Sequence, residues 1–199
     1  MAKAVHRENP LHAAEAVLAA AVLPRAWGSH VLVSAVWALA VLVSSRLEIT
    51  GAPRQVALAV HIVGLALGIG PVMLIDWYGL VWMAGLRSFR DCLRLAEAAN
   101  PLIWLGICLL LSSGALLALD LASPLSWFKQ ALVLLLVNNG VALRSLSGRL
   151  RHVSPPASLS DLTRPLRLRV IATLALAQAT WWGAAVLGFI STATRAHIG

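Results

Sequence analysis

Residues 55–86 read QVALAVHIVGLALGIGPVMLIDWYGLVWMAGL, and this stretch decides the fold class. A helix that crosses a bilayer needs about 20 consecutive, predominantly apolar residues. Here 32 residues pass with His61 and Asp76 as the groups that carry charge near neutral pH. The run is long enough to cross the membrane and continue as an interfacial stalk. Working outward, four further apolar runs appear: His30 to Ser45, Pro101 to Leu121, Trp127 to Leu146 and Leu168 to about Thr192. Spans are therefore predicted at about 30–46, 55–86, 101–121, 127–146 and 168–192.

The whole composition agrees. Of 199 residues, 59% are hydrophobic and 12% charged. Soluble domains carry about 45–50% apolar and about 25% charged residues. Too few polar side chains are present to cover a water-facing surface, and disordered or collagen-like chains are excluded on the same ground. The expected fold is an all-α membrane protein, a bundle of five transmembrane helices.

Breaks between the runs carry turn chemistry: Gly51-Ala52-Pro53, Asn100-Pro101, Ser123-Pro124 and Ser154-Pro155-Pro156. Asn100 before Pro101 reads as a helix cap with proline at the first helical position. Pro10 to Leu23 starts well after Asn9, yet holds His12 and Glu15 and is short for a span. It is read as an amphipathic helix lying in the interface. Residues 1–29 thus form a cytoplasmic or interfacial N-terminal region, and 30–199 the transmembrane bundle.

The net charge of +8 first suggests nucleic acid. Its distribution says otherwise. With five spans, twelve of the sixteen basic residues share one side: Lys3, Arg7 and Arg25, then Arg87, Arg90 and Arg94, then the six arginines from Arg144 to Arg169. Arg46, Arg54, Lys129 and Arg195 fall on the other. Six spans would weaken the split to ten against six. Basic loops face the cytoplasm, so the N-terminus is expected in the cytoplasm and the C-terminus outside, in a bacterial inner membrane. The partners of this charge are anionic lipid headgroups, not nucleic acid.

Eight tryptophans fit a bilayer setting. Trp27, Trp82 and Trp127 fall near predicted helix ends, as an aromatic belt requires. Trp37, Trp77, Trp104, Trp181 and Trp182 fall elsewhere and are expected to pack between helices or line a pocket. The two cysteines, Cys92 and Cys108, are read as an exposed thiol and a small apolar filler.

Ionisable groups inside a membrane cost about 2.5–3.5 kcal/mol each on insertion scales, which marks them as functional candidates. They are His61 and Asp76, with Asp120 and Lys129 bordering the third and fourth spans. In the five-span arrangement His61, Asp120 and Lys129 share the outer level and would form a ligand pocket there. Alternatively, Asp120 and Lys129 merely flank a short exterior loop. Spacings of three and four place His61, Gly64 and Gly68 on one helix face, where small residues let a neighbouring helix approach. Gly70-Pro71 should kink that helix. His61 is then either a buried structural histidine or a metal, haem or proton-transfer group. Asp76 lies 15 residues further on, about 22 Å at helical rise, so the two do not touch. Its expected partner is Arg87, Arg144 or a polar group of another helix. Asn138, Asn139 and Gln178 read as structural polar groups bridging helices.

No phosphate-binding loop, nucleophile elbow, H-E-x-x-H or paired carboxylate set is present, which leans away from an enzyme. Two facing histidines for a b-type haem are also missing within one chain, because His30 starts its helix at the wrong depth. Haem or metal bound through His61 alone, or completed by another subunit, stays open.

The helix His61 to Pro71 followed by Asp76-Trp77, the run Trp127-Phe128-Lys129-Gln130 into Asn138-Asn139-Gly140, and Thr180-Trp181-Trp182-Gly183 resemble a group of poorly characterised bacterial inner-membrane proteins. In outline they are similar to the copper-resistance D membrane family, over roughly residues 56–192. The resemblance implies a multi-pass inner-membrane protein with an H-x-x-G helix ahead of a K-x-x-L helix. The further intramembrane histidines and methionines of a copper pathway are missing here; Met73 and Met83 share the His61 helix. Three functions are thus in view: a ligand, metal or haem site near His61; an oligomer or complex subunit; and a small proton-coupled transporter using Asp76 and His61.

Overall fold

The computed structural model describes residues 10–120, 122–151 and 159–198, and the side chains of residues 27–120, 122–151 and 160–190. Five helices follow one another: α1 (Pro10–Ser44), α2 (Ala52–Met83), α3 (Phe89–Leu116), α4 (Pro124–Leu150) and α5 (Arg164–Ile198). A short 3-10 turn at Leu159–Asp161 precedes α5. No described residue lies in a strand, and all five helices are long and apolar enough to cross a membrane.

Local chemistry sets the ends. Both α2 and α4 begin with proline in the first turn, where its missing N–H would have no helical partner anyway. At the end of α2 the Leu86 N–H bonds Val81 O at 3.0 Å and the Gly85 N–H bonds Trp82 O at 2.8 Å. This Schellman closure needs a left-handed residue, and Gly85 supplies it at φ 74°. Ser88 then caps α3: its hydroxyl accepts from the Asp91 N–H while the Asp91 carboxylate accepts from the Ser88 N–H, a reciprocal capping box.

That cap corrects the third span. The helix predicted at 101–121 starts twelve residues earlier and ends at Leu116, so Asn100-Pro101 is not its start. Proline costs a helix the hydrogen bond to the residue four back and crowds its carbonyl. Here the preceding apolar stripe, Phe89, Cys92 and Leu93, packs into the core with Trp82, Leu146 and Leu150, and tertiary packing outweighs the local penalty. Likewise α2 passes unbroken through Pro71. The spans predicted at 55–86, 127–146 and 168–192 appear as α2, α4 and α5 with shifted ends. The predicted span at 30–46 is the second half of α1, which runs unbroken from Pro10 through residue 29. The basic residues Lys3 and Arg7 and the turn Ser154-Pro155-Pro156 lie outside the described residues, as do the side chains of His12, Glu15, Arg25 and Arg195.

Packing is by hairpins. Antiparallel α2 and α3 are joined along their length, α4 packs on α5, α1 leans on both α3 and α4, and the two hairpins otherwise meet sparsely. A Cβ on Gly64 would stand 3.1 Å from Gly106 O, and one on Gly106 would stand 2.8 Å from Gly64 O. Absence of side chains at Gly64, Gly68 and Gly106 is what lets the two backbones touch. Little of the apolar surface turns inward: at most 28% of any spanning window is buried. Leu86 is 75% and Phe189 68% exposed, surface that water would penalise at about 25 cal/mol per Å².

Candidate functional site

Polar groups gather at two levels. At the α2 N-terminal end, His61 Nδ1 stands 2.9 Å from Ser113 Oγ of α3, and Ser113 in turn donates to Leu109 O. Lys129 of α4 lies close enough to act electrostatically on His61. Asp120 accepts from the Ala122 N–H at 3.0 Å within its own loop. It also borders an open recess of about 370 Å³ between the end of α1 and the end of α3, lined by Ser44, Arg46, Glu48 and Leu119. Ser44 donates to Leu117 O there, tying α1 to α3. The structure thus brings Lys129 near His61, and gives Asp120 a partner of its own.

Further along, amides join helices. Asn138 Oδ1 accepts from the His30 Nδ1–H at 2.8 Å, and Asn138 Nδ2 donates to Ser34 Oγ at 3.1 Å. These bonds link α4 to α1, as does Trp37 Nε1 donating to Gln130 O. Asn139, buried, donates to Thr173 O of α5 at 2.9 Å. Cys92 and Cys108 are both free thiols.

A larger space than the Asp120 recess lies between the hairpins, toward the end that carries nine of the arginines. A cavity of about 660 Å³ opens between α2, α3, α4 and α5. Its lining is mainly apolar and aromatic, with Trp82, Phe89, Trp104 and Trp181 prominent. Trp82 is a correction to the aromatic belt: it turns inward, 7% exposed, against Phe89 at 5.1 Å between ring centroids. Trp27 and Trp127 do face outward.

Asp76 reaches this cavity from α2. Its carboxylate accepts from Gln178 Nε2 of α5 at 2.6 Å, and Gln178 Oε1 accepts from Trp182 Nε1 at 3.2 Å. The amide therefore has both ends used, which fixes which way it faces and aims its N–H donor at Asp76. Asn139 and Asn100 add two more polar groups to the wall, and Arg144 and Arg151 stand where it meets the polar end. Arg151 Nε pairs with Glu97 of α3. Arg144, a predicted partner of Asp76, lines the same cavity, but the hydrogen bond to Asp76 comes from Gln178. His61, Asp120 and Lys129 do not line it.

Sequence reasoning missed Glu97, Asn100 and Arg151 as cavity residues, while Trp104, expected between helices or in a pocket, does line it. The signal for the α3 wall was a spacing: 89, 93, 96, 100, 103 and 107 recur at three and four, one helical face. Reading a helix start at Asn100 cut that face in two.

Among the described residues no group of three or more His, Cys, Asp or Glu side chains is placed to hold a metal ion. No protein-family model, curated protein or solved structure matches this chain.

Proposed function

We propose that this is a multi-pass membrane protein that binds a small hydrophobic ligand in the cavity between its two helical hairpins. The observation that carries the reading is the cavity itself. Its 660 Å³ lies within the range of about 300–1,000 Å³ for ligand sites, and apolar walls with a few aimed polar groups are what such sites have. Asp76 held by Gln178 supplies the aimed group. The arrangement supports a binding, carrier or subunit role ahead of an enzyme, since its aimed pair, Asp76 and Gln178, is a carboxyl and an amide and not a nucleophile and base.

Further parts of this reading rest on charge. The arginine-rich end faces the cytoplasm of a bacterial inner membrane and its anionic headgroups, with the N-terminal turns of α1 in the interface. The outline likeness to the copper-resistance D family belongs here too, as a kinship of helix pattern. A second reading, the proton-coupled carrier, is favoured by Asp76, which lines the cavity; His61 lies outside it.

Native mass spectrometry of gently solubilised protein tests the proposal. Wild type should carry a small-molecule adduct, and Gly79→Phe, which projects a ring into the cavity from a position with open space beside it, should lose it. Bare protein mass from every preparation would count against the reading. An absorption spectrum and metal analysis add a separate outcome: haem or metal that vanishes in His61→Ala would move the site to His61.

A further inference from the structure

Asp76 is the acidic group on the α2 wall of the cavity. Among the described residues its hydrogen-bond partner is the Gln178 amide, and no lysine, arginine or histidine is paired with it. A carboxylate facing apolar walls without a cation is costly, so such a group keeps a proton or takes a cation. Trp82, Trp104 and Trp181 line the same cavity, with Phe89 beside Trp82. Indole faces attract cations, more strongly where water is excluded. The arginines do not cancel this preference, because Arg151 is already neutralised by Glu97 and the Arg144 side chain is exposed.

From this geometry we infer that the cavity takes a hydrophobic organic cation, with Asp76 as its counter-ion and the three indoles as its walls. The inference rests on the reading of the cavity as a binding site. Binding exchanges one ion for another. The Asp76 O–H bond breaks, the proton leaves to water, and the ligand cation takes its place beside the carboxylate. No bond to carbon forms and no electron moves. The other titratable or charged groups facing this space are Cys92 and Glu97 of α3, Arg144 of α4 and Arg151 just beyond it; α5 contributes the neutral Gln178.

The chain carries its own reporter. Cys92 lines the cavity, and Cys108, exposed on the outside of α3, is removed as Cys108→Ala. The full-length variant in mild detergent is alkylated with N-ethylmaleimide in the presence of tetraphenylphosphonium, its anionic counterpart tetraphenylborate, or neutral triphenylphosphine oxide. Phosphonium should slow alkylation of Cys92 saturably while borate and the oxide do not. Adding Asp76→Asn should weaken phosphonium protection at least about tenfold, as for a charge left without its partner; Asp76→Glu should retain it. In the Asp76 chain, affinity should fall about tenfold per pH unit where the carboxyl is protonated, and Asp76→Asn should be flat. Protection by borate or by the oxide equal to that by phosphonium, or undiminished phosphonium protection in Asp76→Asn, overturns the cation and leaves the cavity as a binding site. No protection by any of the three overturns both. Where Asp76→Asn melts too low to assay, the phosphonium–borate contrast and its pH dependence in Cys108→Ala decide alone.

Discussion

Gly106→Ala is the sharpest test of how the α2–α3 hairpin is built. A Cβ there would stand 2.5 Å from Gly68 N, 2.8 Å from Gly64 O and 2.8 Å from Gly68 Cα. All three are backbone atoms, so no side chain can turn aside. Ordinary contact begins near 3.4 Å, and α2 must therefore retreat by roughly 0.6–0.9 Å. A gap of that size forfeits about a quarter to a half of each flanking dispersion contact. Overpacking of this kind costs about 1–3 kcal/mol, and the better helix propensity of alanine returns at most about 1 kcal/mol. A net loss of up to about 2 kcal/mol is expected, and about 1–3 kcal/mol relative to an alanine that nothing crowds. The control is Gly79→Ala, also helical, where a Cβ meets nothing within 4 Å; it should be neutral or slightly stabilising. Unfolding of each purified variant in mixed micelles of rising SDS fraction, followed by far-ultraviolet circular dichroism, reads the difference. If Gly106→Ala proves as stable as Gly79→Ala, the close glycine contact is not what holds these helices together.

Other outcomes follow from the polar contacts. Asn138→Leu removes the acceptor of His30 and the donor to Ser34, and should cost about 1–2 kcal/mol with faster amide exchange in residues 30–44 of α1. His61→Gln keeps a group able to bond Ser113, so its cost should stay below about 1 kcal/mol in the same SDS titration; Cys92 protection by phosphonium should be unchanged, since His61 does not line the cavity. The pair Glu97–Arg151 is partly exposed, 35% and 56%, and Glu97→Gln should change stability by only about 0–1 kcal/mol. Ser88→Ala removes the cap of α3 and should show as faster exchange confined to its first two turns.

The number of helices was legible because it depends on long averages of apolarity, which no single residue can upset. Helix ends depend on one or two residues and on what the chain packs against. Asn100-Pro101 is the instructive case. Taken locally it is a good start signal, and the arginines at 87, 90 and 94 made the preceding stretch look like loop. Arg90 and Arg94 lie on the exposed side of α3 and Arg87 just ahead of it, whereas Phe89, Cys92 and Leu93 on the other side enter the core. Charge count described one face and concealed the other. The same misreading hid the site, since the α3 wall of the cavity runs from Phe89 to Ile107 across that proline. For Asp76 the sequence allowed an arginine or a polar side chain as partner; nothing short of the fold selects Gln178, 102 residues away.

The cavity itself follows from how side-chain volume is distributed along α2. Near one end Gly64 and Gly68 present no side chain, and α3 closes to backbone contact, with the Trp181 ring of α5 lying over Gly68. Four turns on, Trp82 stands inward against Phe89, and Trp104 of α3 rests beside Gly140 of α4, whose Cβ would come within 3.3 Å of the ring. Small residues draw helices together and large rings hold them apart. The α2–α3 pair is thus drawn tight at its glycines, and toward the arginine-rich end Trp82 and Phe89 pack with Leu146, Leu150 and Val170 of α4 and α5. Asp76 lies between these two packed regions, two turns beyond Gly68, on the wall of the cavity they leave. Its carboxyl reaches across the gap to an amide instead of a cation. A carboxyl placed beside the cavity can meet a ligand, whereas His61, a turn before Gly64 on the tightly packed side, lies against Ser113 and Gly114 of α3, outside the cavity.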